Sequence, residues 1–483
     1  MLNLTKRHNA AHNSSRQADS ISTVAPDCFK AVSRNAPKII SALLCGCVLS
    51  FGMGGCSITD FSADSLLRPP KAMGDEAEIE QLISDAADGS YTLKYPKNGN
   101  YRSAIIMTDL NNDKKDEAIA FFRIVDNTAQ IHMLVMYTDN GKWKLSSDNV
   151  TDAPDIDSVD FADIDGNGSL EILAGFTTYT QNINHLSCYS YDSGKTAEIQ
   201  SGHNYSSFYS GDFDSDGNSE IMTLSLFTTE NEATASMLDY SKDNKSMYAR
   251  AMVNMDPNVT KYKNIALSVI DESTNGLVVD GSYANEELNT QVIYYNRELS
   301  LLRNPLYKEK KPNVTLRTAQ VLSSDIDGDN KIEIPAVSKM PHSKAQPSDT
   351  VADKVVWNSF DKKSENSFKT LEVVAGIDYS FYFKIPDKWT QNSVTAVIDS
   401  KKGNIEFYEW LADKQGEMLF EIKSFPLDDW DSGKGTDRYT AISKNDKYAF
   451  AFKNTKADSP AALSDDEIKT GFMLSDNTAQ SAN

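Results

Sequence analysis

The stretch Asp212–Ile221 reads D-F-D-S-D-G-N-S-E-I, with oxygen-bearing side chains at positions 1, 3, 5, 7 and 9 of one short loop. At neutral pH Asp212, Asp214, Asp216 and Glu220 crowd four negative charges together, which disfavours the turn unless a cation joins them. A hard divalent ion that takes six or more oxygens at about 2.3–2.6 Å reverses that repulsion, and Ca²⁺ tolerates irregular geometry best. Gly217, at position 6, supplies the sharp turn. Acidic turns are common in surface hairpins, so the weight of this one depends on whether it recurs.

It does recur. Asp109, Asn111, Asp113, Lys115 and Glu117 occupy positions 1, 3, 5, 7 and 9 of a first copy, and Asp163, Asp165, Asn167, Ser169 and Glu171 those of a second. The opening loop is the third, with Asn218 at position 7, and Asp325, Asp327, Asp329, Lys331 and Glu333 form a further intact copy. Between these last two lies a decayed version, Asp271–Val279, with Val279 where the glutamate belongs; it is expected to hold no ion. Successive copies begin 54, 49, 59 and 54 residues apart. Position 12, where a helical calcium hand needs glutamate, holds Ala120, Ala174, Thr223 and Ala336, which excludes that motif.

The elements that must hold these loops read as strands. Each intact loop runs into an apolar segment, and turn signals such as Asp139-Asn140-Gly141 follow. About four strands in about 50 residues is the content of a propeller blade. The expectation is a mainly β fold: a β-propeller of about five four-stranded blades with calcium loops over residues 90–376, with Asp88–Pro96 as a strand closing the ring against the last blade. Residues 377–475 are expected to form a small C-terminal α+β or β-sandwich domain. It would open with a strand near Tyr379 and carry a helix, Asp465–Leu474, begun by a Ser464/Glu467 capping box. Trp389, Trp410 and Trp430 are read as core and hairpin packing, with a ligand groove as the alternative. Residues 56–89 read as a tether and a short amphipathic helix (Ile79, Leu82, Ile83), and 476–483 as a disordered tail.

The D-x-[DN]-x-[DN]-x-x-x-E repeats resemble the FG-GAP and VCBS repeats of integrin-alpha-like β-propellers and bacterial surface proteins, over roughly residues 90–375. The resemblance implies one calcium ion per loop, held by the side chains at positions 1, 3, 5 and 9 and by the backbone carbonyl at position 7, that is, of Lys115, Ser169, Asn218 and Lys331. Two copies depart from the family's glycine at position 6, with Lys114 and Asn330 there. By carboxylate count the third and fourth intact loops should bind more tightly than the first and second.

Ahead of the repeats, the apolar run Ile39–Gly55 follows Arg34 and Lys38 and ends at Cys56. It is short for a membrane span and resembles a lipoprotein signal, with Met53-Gly54-Gly55-Cys56 as the lipobox. Residues 1–55 are then a signal sequence and Cys56 the lipidated residue; an uncleaved single-pass anchor is the alternative. Either places the remainder outside the cytoplasmic membrane, on its outer face, as in a propeller lipoprotein of a Gram-positive bacterium. Of the five cysteines only Cys188 is then left, so no intrachain disulfide can form.

A formal charge of −21 argues against a nucleic-acid partner. The six histidines fall in no zinc spacing, and no G-x-S-x-G, P-loop or dinucleotide fingerprint is present. The functional expectation is a non-enzymatic, calcium-stabilised scaffold that binds a protein or carbohydrate at the cell surface. A polysaccharide lyase or hydrolase on a propeller, and a purely structural envelope protein, are the alternatives.

Overall fold

Middle strands of the repeats are near-unbroken apolar runs and outer strands alternate, so the former must be covered on both faces and the latter on one. The computed structural model describes residues 74–229, 231–311, 313–389 and 393–475; the signal sequence, Cys56, most of the tether and the tail lie outside the described residues. The first sheet holds β1 (Tyr91–Lys94), β2 (Ile105–Thr108), β3 (Glu117–Ile124), β4 (Gln130–Asp139) and β5 (Lys142–Asp152). The first six residues of β3 are all buried, whereas β5 alternates. Asn140 and Gly141, both with positive φ, make the β4–β5 turn that their sequence calls for.

The segment expected to close a ring does something else. β1 and β2 lie end to end along the same edge of β3, β2 pairing with Glu117–Ala120 and β1 with Phe121–Ile124. β2 is four residues and β3 eight, so half of that edge would lack backbone partners without β1.

The second meander is β6 (Ile156–Ala162), β7 (Glu171–Thr177), β8 (Asn184–Asp192) and β9 (Lys195–Tyr205). The third is β10 (Ser207–Gly211), β11 (Glu220–Ser225), β12 (Thr234–Ser241) and β13 (Ser246–Asn254). One parallel bridge, Ser246 to Gln200, joins their outer strands into an eight-stranded sheet. The fourth meander is β14 (Lys261–Asp271), β15 (Thr274–Ser282), β16 (Leu288–Asn296) and β17 (Leu301–Arg303). The fifth is β18 (Ile334–Lys339), β19 (Asp353–Asp361) and β20 (Asn366–Ala375), continued by β21 (Phe381–Lys384). In the first, second, third and fifth meanders the same strand pair carries a register shift, which deepens the local twist.

Beyond these lie β22 (Val394–Asp399), β23 (Asn404–Leu411), β24 (Lys414–Pro426), β25 (Thr440–Lys444) and β26 (Tyr448–Asn454), ordered β22-β23-β24-β26-β25. β27 (Phe472–Leu474) returns to pair with β21, so residues beyond 376 complete the edge of the fifth sheet. Among the described residues three α-helices accompany the strands: α1 (Asp75–Ala87), α2 (Leu427–Asp431) and α3 (Asp465–Gly471). α3 has the expected capping box but stops three residues early, because Phe472–Leu474 is taken up by that pairing.

Neighbouring sheets share apolar layers in chain order: Phe121 with Tyr189, Leu173 with Leu238, Met237 with Ile293, and Val292 with Phe360 belong to four successive clusters. The other face of the first sheet is covered by Ile79 and Ile83 of α1. Val374 of the fifth packs with Phe407, Phe420 and Phe450 of the C-terminal sheet. Trp389 lies in that same core, its indole N–H donating to the Ala461 carbonyl at 2.8 Å, and Trp430 packs on Phe425. No helix among the described residues is long and apolar enough to cross a membrane.

Phe383 is fully buried where β21 meets the C-terminal sheet, within 5.8 Å, ring to ring, of Trp389, Phe407 and Phe420. Phe383→Ala is expected to cost about 3–5 kcal/mol. In urea unfolding the fifth and C-terminal sheets should be lost together, in one earlier transition.

Candidate metal centres

The four intact loops share one hydrogen-bond frame. The carboxylate at position 1 accepts the backbone N–H of position 5 on one oxygen and that of position 6 on the other: Asp113 and Lys114 onto Asp109, Asn167 and Gly168 onto Asp163, Asp216 and Gly217 onto Asp212, and Asp329 and Asn330 onto Asp325. The side chain at position 5 accepts the N–H of position 7, from Lys115, Ser169, Asn218 and Lys331, at 2.7–2.9 Å. In the first three loops the position 3 side chain (Asn111, Asp165, Asp214) also accepts the N–H of position 5. Such a tight coil needs left-handed residues at positions 4 and 6. Asn112 and Lys114, Gly166 and Gly168, Ser215 and Gly217, Gly328 and Asn330 all have positive φ. Lys114 and Asn330 therefore take up the backbone shape for which glycine is usual.

Beneath each loop sits the position 9 glutamate, the first residue of a strand in three loops and adjacent to β18 in the fourth. Glu117, Glu171, Glu220 and Glu333 are at most 3% exposed. In each, Oε2 accepts the N–H of position 2, from Leu110, Ile164, Phe213 and Ile326, at 2.9–3.1 Å. Those position 2 side chains are the apolar pegs of the loops, buried for the first three and half-buried for Ile326. The pegs have a sequence signal of their own beside the oxygen ligands: an apolar residue stands at position 2 in all four copies.

Burial, with the neighbouring aspartates adding to it, pushes Glu171 up to about 7 and Glu220 up to about 8. Glu117 and Glu333 are raised by burial too. The second oxygens differ: that of Glu117 accepts from Tyr191 at 3.2 Å, and that of Glu333 from Ser359 at 2.6 Å. Oε1 of Glu171 is buried without a protein partner. An orphaned, buried carboxylate oxygen facing other acids fits a cation.

Among the described residues three groups bring acidic oxygens within 4.8 Å of one another: Asp212, Asp214, Asp216 and Glu220; Asp163, Asp165 and Glu171; and Asp325, Asp327 and Glu333. The first loop, with Asp109, Asn111, Asp113 and Glu117, keeps the frame but is not one of these groups. Ranking the loops by carboxylate count overlooked local cations. Arg250 places Nη1 2.6 Å from Asp214 and 3.0 Å from Asp239, with its guanidinium over the Tyr295 ring, so the third loop already has one of its four charges answered. Lys331 pairs with Asp329 at 3.2 Å in the fourth.

The loops are also linked to one another. The position 8 N–H of each loop after the first donates to the preceding repeat: Leu170 to the Leu110 carbonyl, Ser219 to the Asp163 carbonyl, and Ile332 to the Ser268 hydroxyl. A Cβ at Gly166 would meet the tip of the Asn218 side chain of the next loop, which would have to shift to admit it.

The decayed copy is no loop at all. β14 and β15 meet in a tight hairpin, Asp271 pairing with Thr274, so Asn275, Leu277 and Val279 lie within a strand. In place of an ion the hairpin has Lys362, whose ammonium lies 2.8 Å from Asp271 and donates to Thr274 Oγ1 at 2.6 Å. Burial pushes Asp271 up, but hydrogen bonds from Lys362, the Ser273 N–H and Thr274, with the charge of Lys362, together outweigh it and hold its carboxyl at about 2. Asn275 donates to the Asp212 carbonyl, keeping the link to the third loop.

His185 and Cys188 are hairpin residues of β8. His185 faces Asn204 at 3.4 Å, and Cys188 is fully buried, its thiol pushed up to about 12 by burial, which leaves it inert as a nucleophile.

No family model matches the chain, and no curated protein matches it. Solved structures similar to parts of it include a protein from Lactobacillus plantarum (8% identity, 67% of this chain and 85% of that one, TM-score 0.27). A second is a putative 6-phosphogluconolactonase from Bacteroides fragilis NCTC 9343 (8%, 63% and 82%, TM-score 0.24). A third is Saccharomyces cerevisiae Sqt1 (12%, 74% and 86%, TM-score 0.30). Superpositions this loose transfer no activity to this chain.

Two outcomes are expected. Without calcium, the raised Glu171 and Glu220 favour the folded state while protonated; their contribution is full below about pH 4.5 and is lost as pH rises through about 7 and 8. A bound cation needs the charged form, so the gap between melting temperatures in calcium and in EDTA should widen from pH 5 to pH 8. Lys362→Met should destabilise the chain by about 1 kcal/mol in urea titrations, equally with and without calcium.

Proposed function

We propose that this chain is a non-catalytic binding module of propeller type, clamped by Ca²⁺ and displayed outside the cytoplasmic membrane on a lipid attached to Cys56. The observation that carries the calcium reading is the shared loop frame, built over a buried glutamate and lined with oxygen donors alone. Carboxylate and amide oxygens suit a hard cation, while thiolate and imidazole, which would favour zinc or copper, are missing from these loops. At each site the residues that would hold the ion are those at positions 1, 3, 5 and 9, with the position 7 carbonyl. Bound there, the ion supplies charge neutralisation and nothing to a reaction. The chain's own residues coil the loop, bury the glutamate and fix where the second strand begins.

A structural ion of this kind stabilises the fold by mass action, about 2.7 kcal/mol per site at a hundredfold excess over Kd. Melting the chain in EDTA and in millimolar calcium should therefore separate the midpoints by many degrees, and an unchanged midpoint would sink the reading. For the anchor, Cys56→Ser should abolish incorporation of labelled palmitate in a producing cell and release the protein into the medium.

A further inference from the structure

The first strands of three consecutive meanders line a groove of about 770 Å³. Its walls include these strands, β6, β10 and β14, each at the end of its strand order; along β6 the Ile156 and Asp157 carbonyls already accept the Lys97 and Asn98 N–H groups. The edges of β10 and β14, which no neighbouring strand covers, therefore border the groove. The side chains between them are mostly neutral hydrogen-bonding groups, among them Asn100, Asn182, Asn184, Ser207 and Asn264.

The formal charges on the walls cancel, two aspartates against two lysines, and most are engaged. Asp157 accepts from Tyr205 and Asn98, Asp160 from Ser210, and Lys263 pairs with Glu286 at 3.5 Å. In a chain of formal charge −21 a groove with no net charge is a local exception. It offers an ionic ligand of either sign little, and a ligand rich in hydroxyl groups a great deal.

Two exposed aromatic rings stand in the chain close to lining residues. Tyr179 is 84% exposed and Phe227 is 53% exposed. Tyr179 lies in the turn that contains Asn182, and Phe227 directly follows Leu226; both Asn182 and Leu226 line the groove. Ser206 ties the two turns together, donating to the Asn182 carbonyl at 2.6 Å and accepting the Leu226 N–H at 3.0 Å. Flat exposed rings beside a bed of amides and hydroxyls suit a pyranose chain, whose C–H faces stack on aromatic rings while its hydroxyls bond to polar groups.

We infer that this groove binds a neutral oligosaccharide, with Tyr179 and Phe227 as stacking platforms and the open strand edges and asparagines reading its hydroxyls. The inference rests on the binding-module reading and names its ligand class.

Isothermal titration of the calcium-loaded chain with maltohexaose, cellohexaose, xylohexaose and chitohexaose tests it, with hexagalacturonate and hexalysine as charged controls. Saturable binding of at least one neutral hexasaccharide is expected. Tyr179→Ala and Phe227→Ala should each weaken it about five- to tenfold and leave the melting temperature unchanged, since both rings are exposed. Asn184→Ala, inside the groove, should weaken it too. Binding of a charged control alone, binding indifferent to all three substitutions, or no binding would each overturn the inference. The same samples keep the two readings apart. A calcium-dependent melting shift without saccharide binding removes the groove inference and leaves the calcium clamps standing. A bound saccharide recovered cleaved removes the non-catalytic reading and leaves the groove.

Discussion

A carboxylate buried beneath a turn is the constraint on which the repeats depend. Glu117, Glu171, Glu220 and Glu333 each enter the interior next to the start of a strand, and each accepts the backbone N–H of the apolar residue at position 2. That one bond closes the loop, sets the point at which the return strand starts, and drives the apolar peg into the layer beside it. Desolvating an acid among other acids is costly, and one or two hydrogen bonds do not offset it. The surplus negative charge is what would let the loop hold a cation.

The fourth meander meets the same electrostatic need by other means. With the glutamate replaced by Val279, a single carboxylate is left, and the ammonium of Lys362 answers it from the next sheet. An ammonium has three donors and asks for few oxygens, whereas calcium asks for six or more. The loop accordingly shrinks to a two-residue turn, and the coil with its left-handed positions disappears. Arg250 in the third loop is an intermediate arrangement, with the acids retained and one of them shared with a guanidinium.

Much of this was legible in the residues. Loop positions, strand-rich units and the capping box at Ser464 followed from spacing and turn chemistry, because those are set by neighbours within nine residues. What escaped depends on contacts between repeats. The pairing of β1 with β3 follows from the unequal lengths of β2 and β3, which no local pattern reveals. The return of β27 to β21 crosses about ninety residues of chain. Lys362 lies far along the chain from Asp271, and Arg250 far from Asp214, so a count of loop acids could not include them. The Asp271 hairpin likewise rests on the pairing of β14 with β15 and on Lys362 from the next sheet, which the residues of the loop do not reveal.

The link between consecutive loops has a consequence for how freely these repeats can drift. Its donor is the main-chain amide at position 8, and the side chains there are as unlike as Leu170, Ser219 and Ile332. The links to the Leu110 and Asp163 carbonyls are carried by peptide backbone on both sides and are blind to residue type, with proline the one coded residue that lacks the proton, whereas Ile332 needs the Ser268 hydroxyl. Registration between those neighbouring turns can therefore outlast wide divergence in sequence, and the Asp271 hairpin is tied to the loop before it by a side chain, Asn275.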